Sequence, residues 1–306
     1  MRFLITGGAG YVGFSLVRQL AQRSDVEHIR VVDNLARKNH ALFVSGAHGD
    51  VPIDFRRVDI LDGPSLRKAA ENVDVVFHLA AHATTPQSDL DHHIFDQINN
   101  WGSGQVALAV EQSSAHTVVY LSSFAVYGSD AQAVDEATPP VPTSSYGIAK
   151  LAGEEQLQRL EELGRTVHIV RAGNVFGFNP AIRFDAVINA MCFDAWTERK
   201  IRIHGDGHQT RPFVEVSTLA SALADLARSD APSGVWNLAT HNASIGAIAD
   251  IVRDLVPDTE TMHLHRDQRM QEVQMVLPCS MTEYVPLAQS SLYDALAKLI
   301  AALRGR

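Results

Sequence analysis

Residues 6–13 read Thr-Gly-Gly-Ala-Gly-Tyr-Val-Gly, between a short apolar segment (Phe3–Thr6) and an amphipathic pattern that begins at Tyr11. Glycines at positions 7, 10 and 13 permit a tight turn, a close approach of the backbone to a pyrophosphate, and close packing of a helix on a strand. The N-terminus of that helix would offer unpaired N–H groups and a favourable dipole to the phosphates. The stretch therefore predicts a strand, a turn and a helix that together bind a dinucleotide.

An acidic residue at the end of the next strand pattern supports this interpretation. Asp33 closes the segment Ile29–Asp33. In this position a carboxylate accepts hydrogen bonds from the adenosine ribose and repels a 2′-phosphate, which favours NAD over NADP. Arg37 and Lys38 follow closely and weaken that preference. Further along, Asp59 is a candidate for the adenine, and the small residues after His78 leave room for a cofactor close to the backbone.

Strand and helix patterns alternate through the first half of the chain, which predicts a parallel sheet covered by helices on both faces. The expected fold class is α/β, a Rossmann-type doubly wound parallel sheet with a smaller C-terminal α/β substrate domain. The predicted boundaries are 1–172 for the NAD-binding domain, with returning segments around 208–240, and 173–306 for the discontinuous substrate domain. Within the second half, Ala181–Lys200 is predicted to be one helix.

Composition excludes several classes of protein. The chain has 306 residues, 46% of them hydrophobic, and a formal net charge of −9. That acidic balance argues against a nucleic-acid-binding face, and no apolar run reaches the length of ~18 residues that a spanning helix needs. Two distant cysteines, the absence of a signal-peptide pattern and the absence of metal-ligand spacing predict a cytoplasmic protein without a metal site.

Three residues form the predicted catalytic group. Tyr146 and Lys150 are four residues apart in a helical pattern and therefore share one face. A lysine ammonium beside a phenol favours the phenolate and is expected to lower the pKa of the tyrosine. Ser123 lies at the carboxyl end of a buried strand, the edge of a doubly wound sheet where ligands bind. It is placed to bond a substrate oxygen that alternates between hydroxyl and carbonyl.

These motifs together resemble the extended short-chain dehydrogenases/reductases of the NAD-dependent epimerase/dehydratase type, of which UDP-glucose (UDP-galactose) 4-epimerase is a well-known member. The resemblance continues through Arg171–Gly177 and Gly205–Val216. It implies NAD as cofactor and a nucleotide sugar as substrate, with substrate contacts from Ser123, Tyr146, Asn174, Arg211 and, at a second phosphate, Arg269. The residues predicted to contact the cofactor are Gly7, Gly10, Tyr11, Val12, Gly13, Asp33, Asn34, Asp59, Ile60, Leu79, Ala80, Ala81, Asn99, Ser122, Tyr146, Lys150 and Gly173.

The resemblance also bears on the reaction. In the dehydratase and decarboxylase branches, acidic or polar residues follow the catalytic hydroxyl residue, whereas this chain has Phe124 and Ala125 there. Neither side chain transfers protons, which favours a 4-epimerase with a UDP-sugar substrate. An NAD(P)-dependent dehydrogenase or 4-ketoreductase would use the same three residues and remains an alternative. A third is a non-catalytic dinucleotide sensor, although such proteins usually lack the tyrosine or the lysine.

The resemblance further implies a homodimer that pairs two helices from each subunit. The candidate helices are the patterns at Gly104–Gln112 and Tyr146–Leu163. Apolar faces on these helices are equally consistent with packing on the sheet.

Overall fold

A computed structural model describes residues 1–44, 49–83, 92–129, 132–264 and 271–305. Its strands are β1 (Arg2–Thr6), β2 (His28–Asp33), β3 (Ile53–Arg57), β4 (Val75–His78), β5 (Thr117–Ser123), β6 (Ala133–Val134), β7 (Thr166–Ala172), β8 (Asn174–Phe176), β9 (Lys200–His204), β10 (Thr210–Glu215), β11 (Gly234–Leu238), β12 (His241–Ser244), β13 (Glu260–Leu264) and β14 (Gln274–Met275). Its α-helices are α1 (Tyr11–Ala21), α2 (Ala41–Val44), α3 (Gly63–Ala69), α4 (His92–Phe95), α5 (Gly102–Glu111), α6 (Ser145–Gln158), α7 (Val187–Glu198), α8 (Val216–Leu226), α9 (Ile245–Leu255) and α10 (Leu292–Arg304). A π-helix spans Asp96–Trp101, and 3-10 helices span Phe124–Tyr127, Arg159–Leu163 and Ser280–Glu283.

The central sheet has the order β11-β7-β5-β4-β1-β2-β3 among the described residues. All of its neighbouring strands pair in parallel. Strands β2 and β3 lie on one side of β1, and β4, β5, β7 and β11 follow in turn on its other side. The predicted Rossmann-type α/β fold is thereby confirmed. The point where the order reverses lies between β1 and β4, and ligands bind outside the carboxyl ends of the strands at such a point.

Helices cover both faces of this sheet. On one face, Phe14 of α1 and Leu223 of α8 are buried in the same apolar cluster as Ile5 of β1. On the other face, Val106 of α5 and Leu157 of α6 are buried with residues of β1, β4 and β5. Since both faces are covered, the central strands are mostly apolar, as in the fully buried β4, which is apolar up to His78 at its end.

The second half of the chain builds a separate apolar cluster. Helices α7, α9 and α10 contribute Met191, Ile248 and Leu299 to it. Strands β8, β10 and β12 form a three-stranded sheet, and β9 pairs with β13. Strand β11 returns to the central sheet beside β7, within the predicted returning segments. The domain boundaries stay a prediction.

The predicted helix Ala181–Lys200 is too long at its N-terminus, because α7 begins at Val187. Residues 177–186 instead cross the start of α1. Asn179 fixes this path, since its amide donates to Tyr11 O at 2.9 Å and to Ser15 Oγ at 2.8 Å. The side-chain oxygen Oδ1 of Asn179 accepts from Ala181 N at 2.8 Å. These tertiary contacts override the local helical pattern.

No helix within the described ranges is both long and apolar enough to cross a membrane.

Candidate functional site

A cavity of about 920 Å³ follows the carboxyl ends of the central strands and continues between the two halves of the chain. It lies at the reversal of strand order, where the fold predicts a ligand. Most of the residues predicted from the sequence line it: Gly7, Gly10, Tyr11, Val12, Gly13, Asp33, Asn34, Asp59, Ile60, Leu79, Ala80, Ala81, Ser122, Ser123, Tyr146, Lys150, Gly173, Asn174 and Arg211. The structure thus brings both predicted sets together in one cavity, while their individual roles remain predictions.

The glycine turn between β1 and α1 forms one wall of this cavity. Gly7 has a φ of 72°, and a Cβ there would lie 2.6 Å from Ala80 N, so a larger residue does not fit. Gly10 is the N-cap of α1 and has no side chain to cap the first turn. Backbone N–H groups of that turn are therefore available to an anion, as a dinucleotide pyrophosphate requires.

Asp33 lies beside this turn at the end of β2. Its Oδ2 accepts from Ala9 N at 3.1 Å and its Oδ1 from Leu35 N at 2.8 Å. Burial raises the pKa of Asp33, and the two backbone N–H groups oppose that shift. Nearby, Asn34 Nδ2 donates to Asp59 Oδ2 at 2.9 Å. A carboxylate fixed next to a side-chain-free helix N-terminus fits the ribose and pyrophosphate of NAD.

Ser123 and Tyr146 meet farther along the cavity. Ser123 ends β5 and accepts from Ala125 N at 3.2 Å. Tyr146 lies in the first turn of α6, which begins after Ser144 because the Ser144 hydroxyl accepts from Gly147 N at 3.1 Å. Burial raises the pKa of Tyr146, against the hydrogen bond from Ser123 and the charge of Arg183. A serine hydroxyl beside a half-buried phenol suits proton transfer to a substrate oxygen.

Lys150 lies one helical turn after Tyr146 and is only 2% exposed. Its Nζ is 4.2 Å from the centre of the Tyr120 ring, a cation–π contact. Burial lowers the pKa of Lys150 to about 7, although the carboxylate of Glu154 opposes this. The expectation that Lys150 gives Tyr146 a lowered pKa is wrong for the protein alone, because burial of the phenol outweighs the groups that favour phenolate.

A buried ion pair supports α6 and was not predicted from the sequence. Arg171 of β7 donates to Glu154 through Nη2 at 2.7 Å and Nε at 3.1 Å. The side chains are 6% and 2% exposed. The hydroxyl of Ser122 also bonds Glu154. Because Glu154 is one turn after Lys150, the pair anchors the face of α6 that carries the lysine. Its only sequence signal is the spacing of four from Lys150.

Asn99 is a predicted cofactor residue that does not line the cavity. It is buried in the π-helix, where Oδ1 accepts from His82 N at 2.8 Å and Nδ2 donates to His82 O at 2.9 Å. His82 itself lines the cavity. Asn99 therefore holds the backbone after β4 in place from behind, and a direct contact with the cofactor stays a prediction.

The substrate half of the cavity lies between β8, β10 and α7. Arg211 lines it, and its Nε donates to Gln271 O at 3.2 Å. Asn174 Nδ2 donates to Pro212 O at 3.3 Å. Arg269 lies outside the described residues. Sequence reasoning missed Arg183 and Arg202, which also line the cavity, because arginines on loops and edge strands show no periodic signal.

Comparisons with known proteins give a family match and several similar chains. The family described as NAD dependent epimerase/dehydratase matches residues 3–239. A putative UDP-glucose 4-epimerase of Methanocaldococcus jannaschii is 30% identical over 82% of this chain and 81% of its own. A human dTDP-D-glucose 4,6-dehydratase is 26% identical over 85% and 75%. A solved structure, MoeE5 in complex with UDP-glucose and NAD, is 25% identical and superposes with a TM-score of 0.86. The match covers 100% of this chain and 99% of MoeE5.

Proposed function

Since the chain belongs to the NAD-dependent epimerase/dehydratase family, it is an enzyme whose cofactor is NAD, and we propose that it is a nucleotide-sugar 4-epimerase acting on a UDP-sugar. The fit of the cavity supports the cofactor, because the glycine turn and Asp33 together suit a dinucleotide. Bound NAD supplies reversible hydride acceptance at the sugar carbon. A relative similar over 82% of the chain is a putative UDP-glucose 4-epimerase, which supports the reaction and the UDP-sugar.

The proposed reaction needs one proton acceptor at the sugar C4 hydroxyl. We assign this role to Tyr146, since its phenol lines the cavity together with Ser123. Ser123 holds the same substrate oxygen as it changes from hydroxyl to carbonyl. Lys150 stabilises developing phenolate and supports the nicotinamide ribose. With NAD bound, the hydride taken from C4 would be returned to the other face of that carbon, and Tyr146 would return the proton to its oxygen.

One observation carries the choice of epimerase over dehydratase. Phe124 and Ala125 line the cavity directly after Ser123, where the family resemblance places the acid–base pair of dehydratases. Neither side chain has a titratable group. Elimination of water requires a proton to be moved at a second carbon, so this wall favours a reaction confined to C4.

The arginines of the substrate half support a diphosphate-linked sugar. Arg183, Arg202 and Arg211 line the cavity in a protein with a formal net charge of −9. Arg183 is paired with Asp185, and Arg202 with Asp194 and Glu198. Guanidinium groups bind phosphate oxygens through paired N–H donors, so we assign the diphosphate of a UDP-sugar to Arg211.

A homodimer is part of the proposal. Trp101 and Ile148 are 63% and 55% exposed on neighbouring helical segments, and Leu108 lies exposed on α5. Such a group of large apolar side chains is suited to pairing with a second copy. Sedimentation equilibrium measures the oligomeric state directly. We expect a dimer for the wild type and a weakened dimer for Ile148→Glu. A monomeric wild type would contradict it.

The decisive experiment combines cofactor analysis with product analysis. The purified protein is denatured to release and identify its dinucleotide, and is separately incubated with UDP-glucose or UDP-galactose while the sugar is followed by proton NMR. A 4-epimerase forms the C4 epimer without net accumulation of NADH at 340 nm. Stoichiometric NADH formation with a released 4-keto or oxidised sugar would instead identify a dehydrogenase or ketoreductase. Formation of a 4-keto-6-deoxy sugar would identify a dehydratase.

A further inference from the structure

Three charged side chains meet in the cavity between the loop after β2, where we expect the adenosine of NAD, and the second half of the chain. Asp185 accepts from Arg183 through Nε at 3.0 Å and Nη2 at 2.8 Å. Arg37 Nη1 approaches the same carboxylate at 3.5 Å. All three residues line the cavity. We call this group the Asp185 cluster.

The position of Asp185 is set by contacts on both sides of the cavity. The Tyr11 hydroxyl of α1 donates to Gly177 O at 2.5 Å. Asn39, in the loop after β2, donates to Ala181 O at 3.3 Å. Asn189 of α7 donates to Arg183 O at 3.0 Å. Residues 177–186 are thus tied to the glycine turn, to the loop after β2 and to α7, so Asp185 is held where it reaches Arg37.

The chain carries conflicting signals for the dinucleotide. A carboxylate at the end of β2 favours the free ribose 2′-hydroxyl of NAD, whereas an arginine close by accommodates the 2′-phosphate of NADP. Asp33 is the carboxylate that favours NAD, and Arg37, in the loop after β2, is the arginine that could accommodate NADP. The structure resolves the conflict because Arg37 is paired with Asp185. We propose that Asp185 is a specificity-determining residue that favours NAD by holding Arg37 away from the adenosine 2′ position.

The charges support this assignment. We count four charged side chains here, and among them Arg37 and Arg183 balance Asp33 and Asp185. Burial raises the pKa of Asp185, but the hydrogen bond and charge of Arg183 and the charge of Arg37 outweigh it, so the pKa is lowered and the group is ionised at neutral pH. A 2′-phosphate monoester carries about −1.5 to −2 charges. Removing the charge of Asp185 leaves these side chains with one net positive charge and releases Arg37 to meet that phosphate.

The test measures binding of NAD⁺ and NADP⁺ to protein freed of dinucleotide, by isothermal titration calorimetry. In Asp185→Asn we expect NADP⁺ to bind at least about fivefold more tightly, as release of a partly exposed ion pair allows, while the affinity for NAD⁺ changes less than about twofold. Asp225→Asn is the matched control, since it removes a carboxylate paired with an arginine outside the cavity. That variant should leave the ratio of the two affinities unchanged.

Arg37→Gln tests the mechanism independently of whether Asp185→Asn folds. In the native background it should change NADP⁺ affinity less than about twofold, because Arg37 is already engaged; in the Asp185→Asn background it should abolish the gain. A gain that survives in the double variant, equal effects on both dinucleotides, or a fivefold loss of NADP⁺ binding in Arg37→Gln alone would overturn the proposal. It rests on NAD as cofactor and its readout is binding, so its failure is distinguishable from failure of the 4-epimerase assignment.

Discussion

Replacing Tyr146 by phenylalanine isolates the proposed acid–base group. The ring of Tyr146 packs edge-on against Phe95, with 5.8 Å between centroids, and phenylalanine keeps this contact. Only the hydroxyl is lost, at a cost of about 1 kcal/mol of folding free energy. The chemical step loses its proton acceptor, which is expected to lower kcat by about 10³-fold, or about 4 kcal/mol in activation free energy.

The assay compares C4 epimerisation by NMR with NAD⁺ affinity by calorimetry, in the wild type and in Tyr146→Phe. NAD⁺ affinity should change less than about threefold, since the lost group serves the reacting sugar carbon. Tyr127→Phe is the matched control, because it likewise removes only a phenol hydroxyl, one that donates to Asn237 Oδ1 at 2.8 Å. It should keep most of the activity. Retention of more than a tenth of wild-type turnover in Tyr146→Phe would refute the assignment of Tyr146.

Three other outcomes test the surroundings of the site. Burial lowers the pKa of Lys150 from 10.5 to about 7, so between these pH values the unfolded chain binds more protons and the wild type loses stability as pH falls. In urea unfolding, Lys150→Met should therefore gain stability relative to the wild type from about pH 10 to about pH 7. A difference in unfolding free energy between the two proteins that is independent of pH would contradict the lowered pKa. Glu154→Gln leaves the buried Arg171 uncompensated and should cost about 3–5 kcal/mol in unfolding free energy. The exposed Glu198→Gln should cost less than about 1 kcal/mol. Similar losses in the two variants would argue that Glu154 does not anchor α6. Gly13→Ala places a methyl group against the Gly7 carbonyl and should abolish NAD⁺ binding by calorimetry, whereas Gly234→Ala has open space around its Cβ and should bind normally.

The short-range pattern was enough to predict the dinucleotide half of the site. Strand β1, the glycine turn and α1 are consecutive in the chain, and Asp33 ends the next strand, so their arrangement follows from local geometry and the parallel sheet. Tyr146 and Lys150 share a helix face for the same reason. Ser123 was predicted beside them because parallel strands expose their carboxyl ends at one edge.

Interactions between distant segments were not accessible in this way. The pairing of Glu154 with Arg171 joins a helix to a strand, and the pairing of Arg37 with Asp185 joins the two halves of the chain. Neither has a sequence period, because each depends on which segments pack together. The helix predicted to begin at Ala181 was wrong at its start for the same reason. Asn179 hydrogen-bonds to α1, and this contact holds the following residues outside the helix.

By itself, the amino-acid sequence determined the Rossmann-type sheet, the dinucleotide turn and the residues that could do acid–base chemistry, since these follow from periodicity, glycine geometry and side-chain type. The tertiary structure decided the protonation tendencies and the electrostatics. Burial raises the pKa of Tyr146 and lowers that of Lys150, and the Asp185 cluster neutralises an arginine beside Asp33. Desolvation and ion pairing depend on the three-dimensional surroundings of a group, and those surroundings exist only after distant segments have packed.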